Sequence, residues 1–256
     1  MPLDSGAFLR AILLGDRSEL PRAVQAAFKN SGTMHILAIS GLHVGIIASV
    51  IIYLLKFLRL GRNPAYIFTI LFLIIFSLLT LSRPSVVRAT VMACVFLIGM
   101  LLGRRVDVYN SLGAASLFIL LKNPKDLFSV GFQLSFLAVL SIICFAPRFM
   151  RLARQDTNFY IKRYLYTPLA VSISAWLGTF PLILYYFRII TPVAIVANIF
   201  IIPALFALLV GGMGFILLGW IGFAGTILAG LNNLCANTIF FLAEFFSSLK
   251  FGHFHL

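Results

Sequence analysis

Residues 195–209 read IVANIFIIPALFALL, and residues 67–81 read IFTILFLIIFSLLTL. With their flanks, both runs approach the length of about twenty apolar residues that an α-helix needs to cross a bilayer. Strands of a membrane barrel would instead alternate apolar and polar residues over about ten positions. The two stretches therefore predict a helical membrane protein.

The composition excludes a soluble globular fold. Of the 256 residues, 61% are hydrophobic and 11% are charged, whereas soluble domains are about half apolar and about a quarter charged. We expect an all-α polytopic membrane protein with about eight transmembrane helices, within a range of about seven to nine. The predicted spans are 34–58, 65–81, 84–102, 108–121, 130–146, 164–187, 192–220 and 223–249.

The sequence also predicts breaks within some spans and polar segments outside them. Proline and glycine are expected to break some helices, as at Pro203 and the glycine cluster 211–214 in the seventh span. Residues 1–33 are polar and predict a short juxtamembrane helical segment, the tail of an N-terminal extracellular region that the chain lacks. Residues 34–256 then form the transmembrane domain, in which 147–163 is the longest polar linker.

Basic residues alternate between the loops. Those after the odd-numbered spans hold Lys56, Arg59, Arg62, Arg104, Arg105, Arg148, Arg151, Arg154, Lys162 and Arg163. Cytoplasmic loops collect Lys and Arg, so both termini are predicted to lie outside. The same rule accounts for much of the net charge of +13, which alone does not identify a nucleic-acid partner.

Two arginines lie near the start of the third predicted span. Arg88 is about one turn inside it, where it either snorkels or pairs with a helix-end carbonyl, or lines a path for anions. Arg83 lies at the same mouth, and no acid is close in sequence. Two such cations suit a phosphate backbone.

The first span contains Ser40, Gly41, His43 and Gly45. A metal site would need a third ligand beyond His35 and His43, and none is near, so neither a metal nor another cofactor is predicted. His43 either bonds to a neighbouring helix or serves as the base for a nucleophilic Ser40. Gly41 and Gly45 have the spacing that permits close helix packing.

Two amides complete the candidates. Gln133 opens the fifth span and either bonds across helices or lines a pore. Asn198 lies five residues before Pro203 and is placed to satisfy backbone groups that the proline frees.

Several motifs occur in an order that resembles the ComEC family of DNA-internalisation competence proteins. They are LGDR at 14–17, AISGLHVG at 38–45, PSVVRA at 84–89, GRRVDVYN at 103–110, NP at 123–124 and GFQLSF at 131–136. The motif GRRVDVYN includes Gly103, Arg104, Asp107 and Asn110. The resemblance covers about residues 10–210 and concerns only the transmembrane competence domain of that family.

The resemblance implies a channel for single-stranded DNA in the bacterial cytoplasmic membrane during natural transformation. Its partners would be single-stranded DNA, membrane lipid and a cytoplasmic helicase or motor. The family's N-terminal oligonucleotide-binding-like and C-terminal metallo-β-lactamase-like domains are not in this chain, so no enzymatic activity is expected of it. An intramembrane serine hydrolase using Ser40 and a small-anion carrier remain alternatives.

These implications combine into one hypothesis for the path of the DNA. Spans carrying residues 40–43, Arg88 and Gln133 line its outer half, with Arg83 at the mouth. The basic linker 148–163 either receives the strand or the motor on the inner side, or anchors the chain at the membrane.

Overall fold

The computed structural model describes residues 8, 10–12, 20–37, 39–80, 83–104, 106–152, 158–249, 252 and 254–255. The helices in this part of the chain are α1 (Arg22–Asn30), α2 (Met34–Leu37), α3 (Gly41–Phe57), α4 (Arg62–Leu79), α5 (Pro84–Leu101), α6 (Val108–Lys122), α7 (Val130–Leu152), α8 (Phe159–Phe187), α9 (Ala194–Leu218) and α10 (Gly222–Ser247). A 3-10 turn (Pro124–Phe128) precedes α7, and α8 contains a π-helical turn at Lys162–Tyr166. Strands β1 (Ile189–Ile190) and β2 (Phe254–His255) pair antiparallel.

The predicted all-α, polytopic architecture is confirmed. Six of the described helices, α4, α5, α7, α8, α9 and α10, are long and apolar enough to cross a membrane. Two further apolar helices, α3 and α6, are shorter. Large hydrophobic side chains are exposed on them, such as Phe57 at 83% and Leu121 at 76%, as expected where lipid replaces water as the solvent.

The predicted breaks at proline and glycine are wrong. Pro203 and residues 211–214 lie inside the continuous helix α9, and Pro181 lies inside α8. A proline removes one backbone N–H donor from the helix, and neighbouring groups in a bundle compensate for a loss of that size.

Two predicted boundaries also differ. The first span, 34–58, is two helices, because α2 ends at Leu37 and α3 begins at Gly41. Ser40 between them has an extended backbone with φ −113° and ψ 172°, the conformation typical of a residue that caps a helix start. The polar linker 147–163 is largely helical, since α7 continues to Leu152 and α8 begins at Phe159.

The chain divides into two compact units: a central unit, Ile39–Phe136, and a terminal unit, Met1–Ala38 with Leu137–Leu256. In the central unit, α5 packs against α3, α4 and α6. In the terminal unit, α9 and α10 form the main hairpin, α8 packs on α9, and α1 on α10. The predicted boundary between residues 33 and 34 stays a prediction.

Within the terminal unit, Gly178 of α8 lies directly against Ser141 of α7. A Cβ added at Gly178 would overlap the Ser141 side chain, which is 4% exposed. By contrast, a Cβ at Gly230 of α10 would meet nothing within 4 Å. The glycine at position 178 therefore sets the closest approach of α7 and α8.

We expect Gly178→Ala to destabilise the protein by about 1–3 kcal/mol, because a methyl group in a filled contact forces the helices apart. Thermal unfolding in neutral detergent measures this change. Gly230→Ala is the matched control and should be neutral or slightly stabilising. Adding Ser141→Gly to Gly178→Ala should restore much of the loss, and a double variant no more stable than Gly178→Ala would contradict the packing argument.

Candidate functional site

The start of α5 is tied to the segment just before α3. Pro84 is the first residue of α5, a position where its missing N–H carries no cost. The next residue, Ser85, donates its hydroxyl to the carbonyl oxygen of Ile39 at 2.8 Å. Two motifs that lie more than forty residues apart in the sequence therefore meet in the central unit.

Ser40 and His43 form a reciprocal cap at the start of α3. The backbone N–H of Ser40 donates to Nδ1 of His43 at 3.3 Å, and Ser40 Oγ lies 3.0 Å from the same nitrogen. His43 is 1% exposed. Since Nδ1 accepts from a backbone amide, a neutral ring carries its proton on Nε2. The pair satisfies polar groups at a helix end that lies among apolar residues.

Arg88 is the buried cation of the central unit. It projects from the second turn of α5, and its residue surface is 8% exposed. Its Nε donates to Ser135 Oγ at 3.1 Å, and the Ser135 hydroxyl donates in turn to the carbonyl oxygen of Gly131 at 2.8 Å. One hydroxyl thus accepts from the guanidinium and donates to its own helix.

Gly131 makes the room that the guanidinium occupies. A Cβ at Gly131 would lie 3.2 Å from Nη2 of Arg88, closer than ordinary van der Waals contact, and 3.5 Å from Nη1. Within this motif the sequence pattern indicates Gln133 as a candidate but does not indicate Gly131 or Ser135. Their spacing of four residues, which places both on one helix face, is the signal that could have identified them.

A short turn that carries Asp126 borders this group. The carboxylate of Asp126 interacts electrostatically with Arg88. The same carboxylate accepts a hydrogen bond from Asn123 Nδ2 at 2.8 Å. Gln133 donates its Nε2 to the carbonyl oxygen of Leu127 at 3.1 Å, so its amide holds the 3-10 turn against the start of α7.

The remaining motif residues of the central unit lie at helix ends. Arg83 is the half-exposed N-cap residue of α5. Gly103, just after α5, has φ +65°, which favours glycine. Asp107 caps α6 by accepting from the Tyr109 N–H at 2.9 Å, while Arg104 and Asn110 are exposed.

The packing role predicted for two glycines is not seen within the central unit. A Cβ at Gly41 would make only an ordinary 3.7 Å contact with Ala89, and one at Gly45 would meet nothing within 4 Å. Helix α3 begins at Gly41, and Gly45 lies one turn further on an exposed face. Neither residue marks a tight helix crossing among the described residues of this unit, and a role in packing against another helix stays a prediction.

Asn198 belongs to the terminal unit and has a different role from the one predicted. Its Nδ2 donates to Ser172 Oγ of α8 at 3.0 Å, so the amide joins two helices instead of serving the backbone near Pro203. The LGDR motif at 14–17, Ala38, Arg105 and Arg154 lie outside the described residues. In the part of the chain that is described, no three His, Cys, Asp or Glu residues cluster as metal ligands would.

The geometry leaves donors of Arg88 available for a ligand. Within the described residues, Nε of Arg88 has its hydrogen bond, while the two Nη groups have no hydrogen-bond acceptor. A planar guanidinium presents paired donors that match two oxygens of a phosphate or carboxylate. The arrangement therefore suits reversible binding of an oxyanion.

Comparison with known proteins identifies the family to which this chain is similar. The family model described as Competence protein matches residues 12–256. The chain is 35% identical over 219 residues to ComE operon protein 3 of Bacillus subtilis (strain 168), an alignment that covers 85% of this chain and 27% of that protein. It is 31% identical over 241 residues to an uncharacterized protein of Aquifex aeolicus (strain VF5), covering 94% of this chain and 54% of that protein.

The chain therefore spans about half or less of the length of these curated relatives. No solved structure matches it. The match to the family model extends over nearly the whole chain and includes all the residues that build the site around Arg88. The chain belongs to the competence protein family.

Proposed function

We propose that this chain forms the membrane-spanning path for single-stranded DNA in natural transformation, in a bacterial cytoplasmic membrane with its N-terminus outside. The observation that carries the proposal is the buried guanidinium of Arg88, held by a neutral hydroxyl, with its Nη groups available. Membership of the competence protein family supports the link to DNA.

The chemistry of the site fits a strand that must pass through. A channel has to attract its cargo and release it, so binding at each position must be modest. A single bidentate contact between guanidinium and phosphate attracts the backbone without reading its sequence. The carboxylate of Asp126 reduces the positive field at Arg88, which favours release.

Other members of the proposed path have supporting roles. Ser40 and His43 fix the start of α3, Ser85 joins that start to α5, and Gln133 holds the turn before α7. Arg83 is placed at the beginning of the helix that carries Arg88. We propose no catalytic step for this chain.

Because the chain matches only part of its relatives, the partners of a full-length protein belong to the proposal too. They are single-stranded DNA, membrane lipid, the oligonucleotide-binding-like and metallo-β-lactamase-like flanking domains, and a cytoplasmic helicase or motor. The basic ends of α7 and α8 face the cytoplasm in the proposed orientation.

A serine hydrolase is the second candidate, since Ser40 Oγ lies within hydrogen-bond distance of His43 Nδ1. The bonding of that nitrogen weighs against it. Nδ1 has one lone pair, and the backbone N–H of Ser40 already donates to it, so it is poorly placed to take the hydroxyl proton. A small-anion carrier would use Arg88 in the same way but would transport a small solute without DNA.

Replacing Arg88 tests the proposed channel. In transformable cells whose own channel gene is deleted, the full-length protein carrying Arg88→Gln should internalise at least about ten-fold less labelled DNA, because the phosphate contact is lost. Arg88→Lys should restore only part of it, since an ammonium cannot make the bidentate contact. Membrane levels are measured for each variant.

Arg62→Gln is the matched control, because Arg62 is exposed at the start of α4. It should transport DNA like the wild type. Wild-type uptake by Arg88→Gln at equal membrane level would refute the role of this arginine. Loss of uptake of a small anion, with DNA internalisation unchanged, would favour the carrier.

Substitutions at Ser40 separate a cap from a nucleophile. Ser40→Ala should destabilise the protein by about 1 kcal/mol, and Ser40→Asn should recover most of that loss, because asparagine also caps helices. DNA uptake should follow the amount of folded protein in both variants. Wild-type stability with abolished function in Ser40→Asn, together with fluorophosphonate labelling of wild-type Ser40, would instead support the hydrolase.

A further inference from the structure

The start of α8 presents a dense set of exposed side chains. Asn158 caps this helix by accepting from the Tyr160 N–H at 2.9 Å. We call residues 158–166 the interfacial segment; its exposed aromatic and aliphatic members are Phe159, Tyr160, Ile161, Tyr164, Leu165 and Tyr166. They follow one another around more than a full turn, so the segment is exposed on several sides.

The length of α8 places this segment at the membrane surface. The helix has 29 residues, which corresponds to about 43 Å at a rise of about 1.5 Å per residue. Its last 21 residues, Thr167–Phe187, give about 31 Å and match the hydrocarbon thickness of about 30 Å. The interfacial segment is therefore the part that extends into the headgroup layer.

Cations line the same end of the helix pair. Lys162 is half-buried and Arg163 is exposed, with the Arg163 guanidinium 5.9 Å from the centre of the Phe159 ring. Ser141 of α7 meets Gly178 of α8, and only six residues separate the end of α7 from the start of α8 in sequence, so these two ends lie on the same side. That end contributes exposed Arg148 and Arg151.

In sequence, residues 145–170 contain five basic residues and one acid, Asp156, so the charge of this stretch is strongly positive. The π-helical turn at Lys162–Tyr166, a form often found at functional sites, carries both Lys162 and Arg163. The Thr167 hydroxyl donates to the carbonyl oxygen of Lys162 at 2.9 Å and so holds this turn. The cations thus project from a defined backbone.

The mixture of side chains favours lipid over nucleic acid. Exposed aromatics and cations suit either partner, but exposed Ile161 and Leu165 offer nothing to a polar strand and match acyl chains. The segment also continues directly into the membrane-spanning part of α8. Basic residues at a cytoplasmic interface meet a leaflet that is rich in anionic headgroups.

We propose that the interfacial segment, together with Arg148 and Arg151, binds the headgroup of an anionic phospholipid. Lys162 and Arg163 contact the phosphate, while the tyrosines lie at the boundary between headgroups and acyl chains. This site lies in the terminal unit; it rests on the proposed orientation of the chain but not on the role proposed for Arg88.

Isothermal titration of the full chain in neutral detergent with dioctanoyl phosphatidylglycerol tests the proposal. Lys162→Gln/Arg163→Gln should raise the Kd by up to about 25-fold and by at least about five-fold, since each basic residue near an anionic surface contributes about a factor of five. Dioctanoyl phosphatidylcholine should bind the wild type more weakly and be little affected by the double variant. Glycerol phosphate should not bind measurably, which distinguishes a lipid from a free phosphate.

Arg59→Gln/Arg62→Gln is the matched control, because it removes two exposed cations from the central unit; it should leave the Kd unchanged. An equal loss in this control would overturn the proposal by indicating a general charge effect. Unchanged phosphatidylglycerol binding in Lys162→Gln/Arg163→Gln, with weaker binding of an oligothymidine, would overturn it in favour of a DNA contact. Tyr160→Ala/Tyr164→Ala should weaken the binding of both lipids to the same extent, because the rings contact the boundary between headgroups and acyl chains and not the charge.

Discussion

The burial of the Arg88 guanidinium is the constraint on which the central unit depends. A cation inside an apolar helical unit costs a few kcal/mol unless polar groups surround it. Two residues of the motif at 131–136 in α7 reduce this cost. Ser135 accepts a hydrogen bond from the guanidinium, and Gly131, which has no side chain, leaves room for it. The hydrogen bond from Ser85 to Ile39 fixes the helix that carries the arginine. The Arg88 side chain thus joins the motif at 84–89 to the motif at 131–136.

The group that Arg88 donates to is a neutral hydroxyl, and this has a chemical consequence. A carboxylate in direct contact would neutralise the arginine and occupy its paired donors, whereas a serine hydroxyl supports Nε and leaves the charge in place. The nearby acid, Asp126, has a hydrogen bond from Asn123, so its charge is shared with that turn. Arg88 is stabilised enough to remain buried and stays able to bind an oxyanion.

The fold class could be predicted from sequence because run length and composition report directly on the bilayer as solvent. Boundaries were harder, since Ser40 interrupts an apolar stretch through its backbone conformation while Pro203 fails to interrupt α9. Arg88 was identified by its cost in hydrocarbon. Its partners Ser135 and Gly131 were missed because a separation of about forty-seven residues hides the contact, and only the spacing within their motif pointed to a shared face.

The polar candidate residues differ in the groups to which they hydrogen-bond. In an apolar surrounding, side chains first satisfy nearby backbone or neighbouring helices. Ser40 and His43 cap α3, Gln133 serves a carbonyl of the 3-10 turn, and Asn198 joins Ser172. Each of these polar residues therefore has a structural task that explains its presence in the membrane. Arg88 is the charged member of this group, and its five donors exceed what the described residues accept. That surplus is the reason for placing it on the proposed anion path.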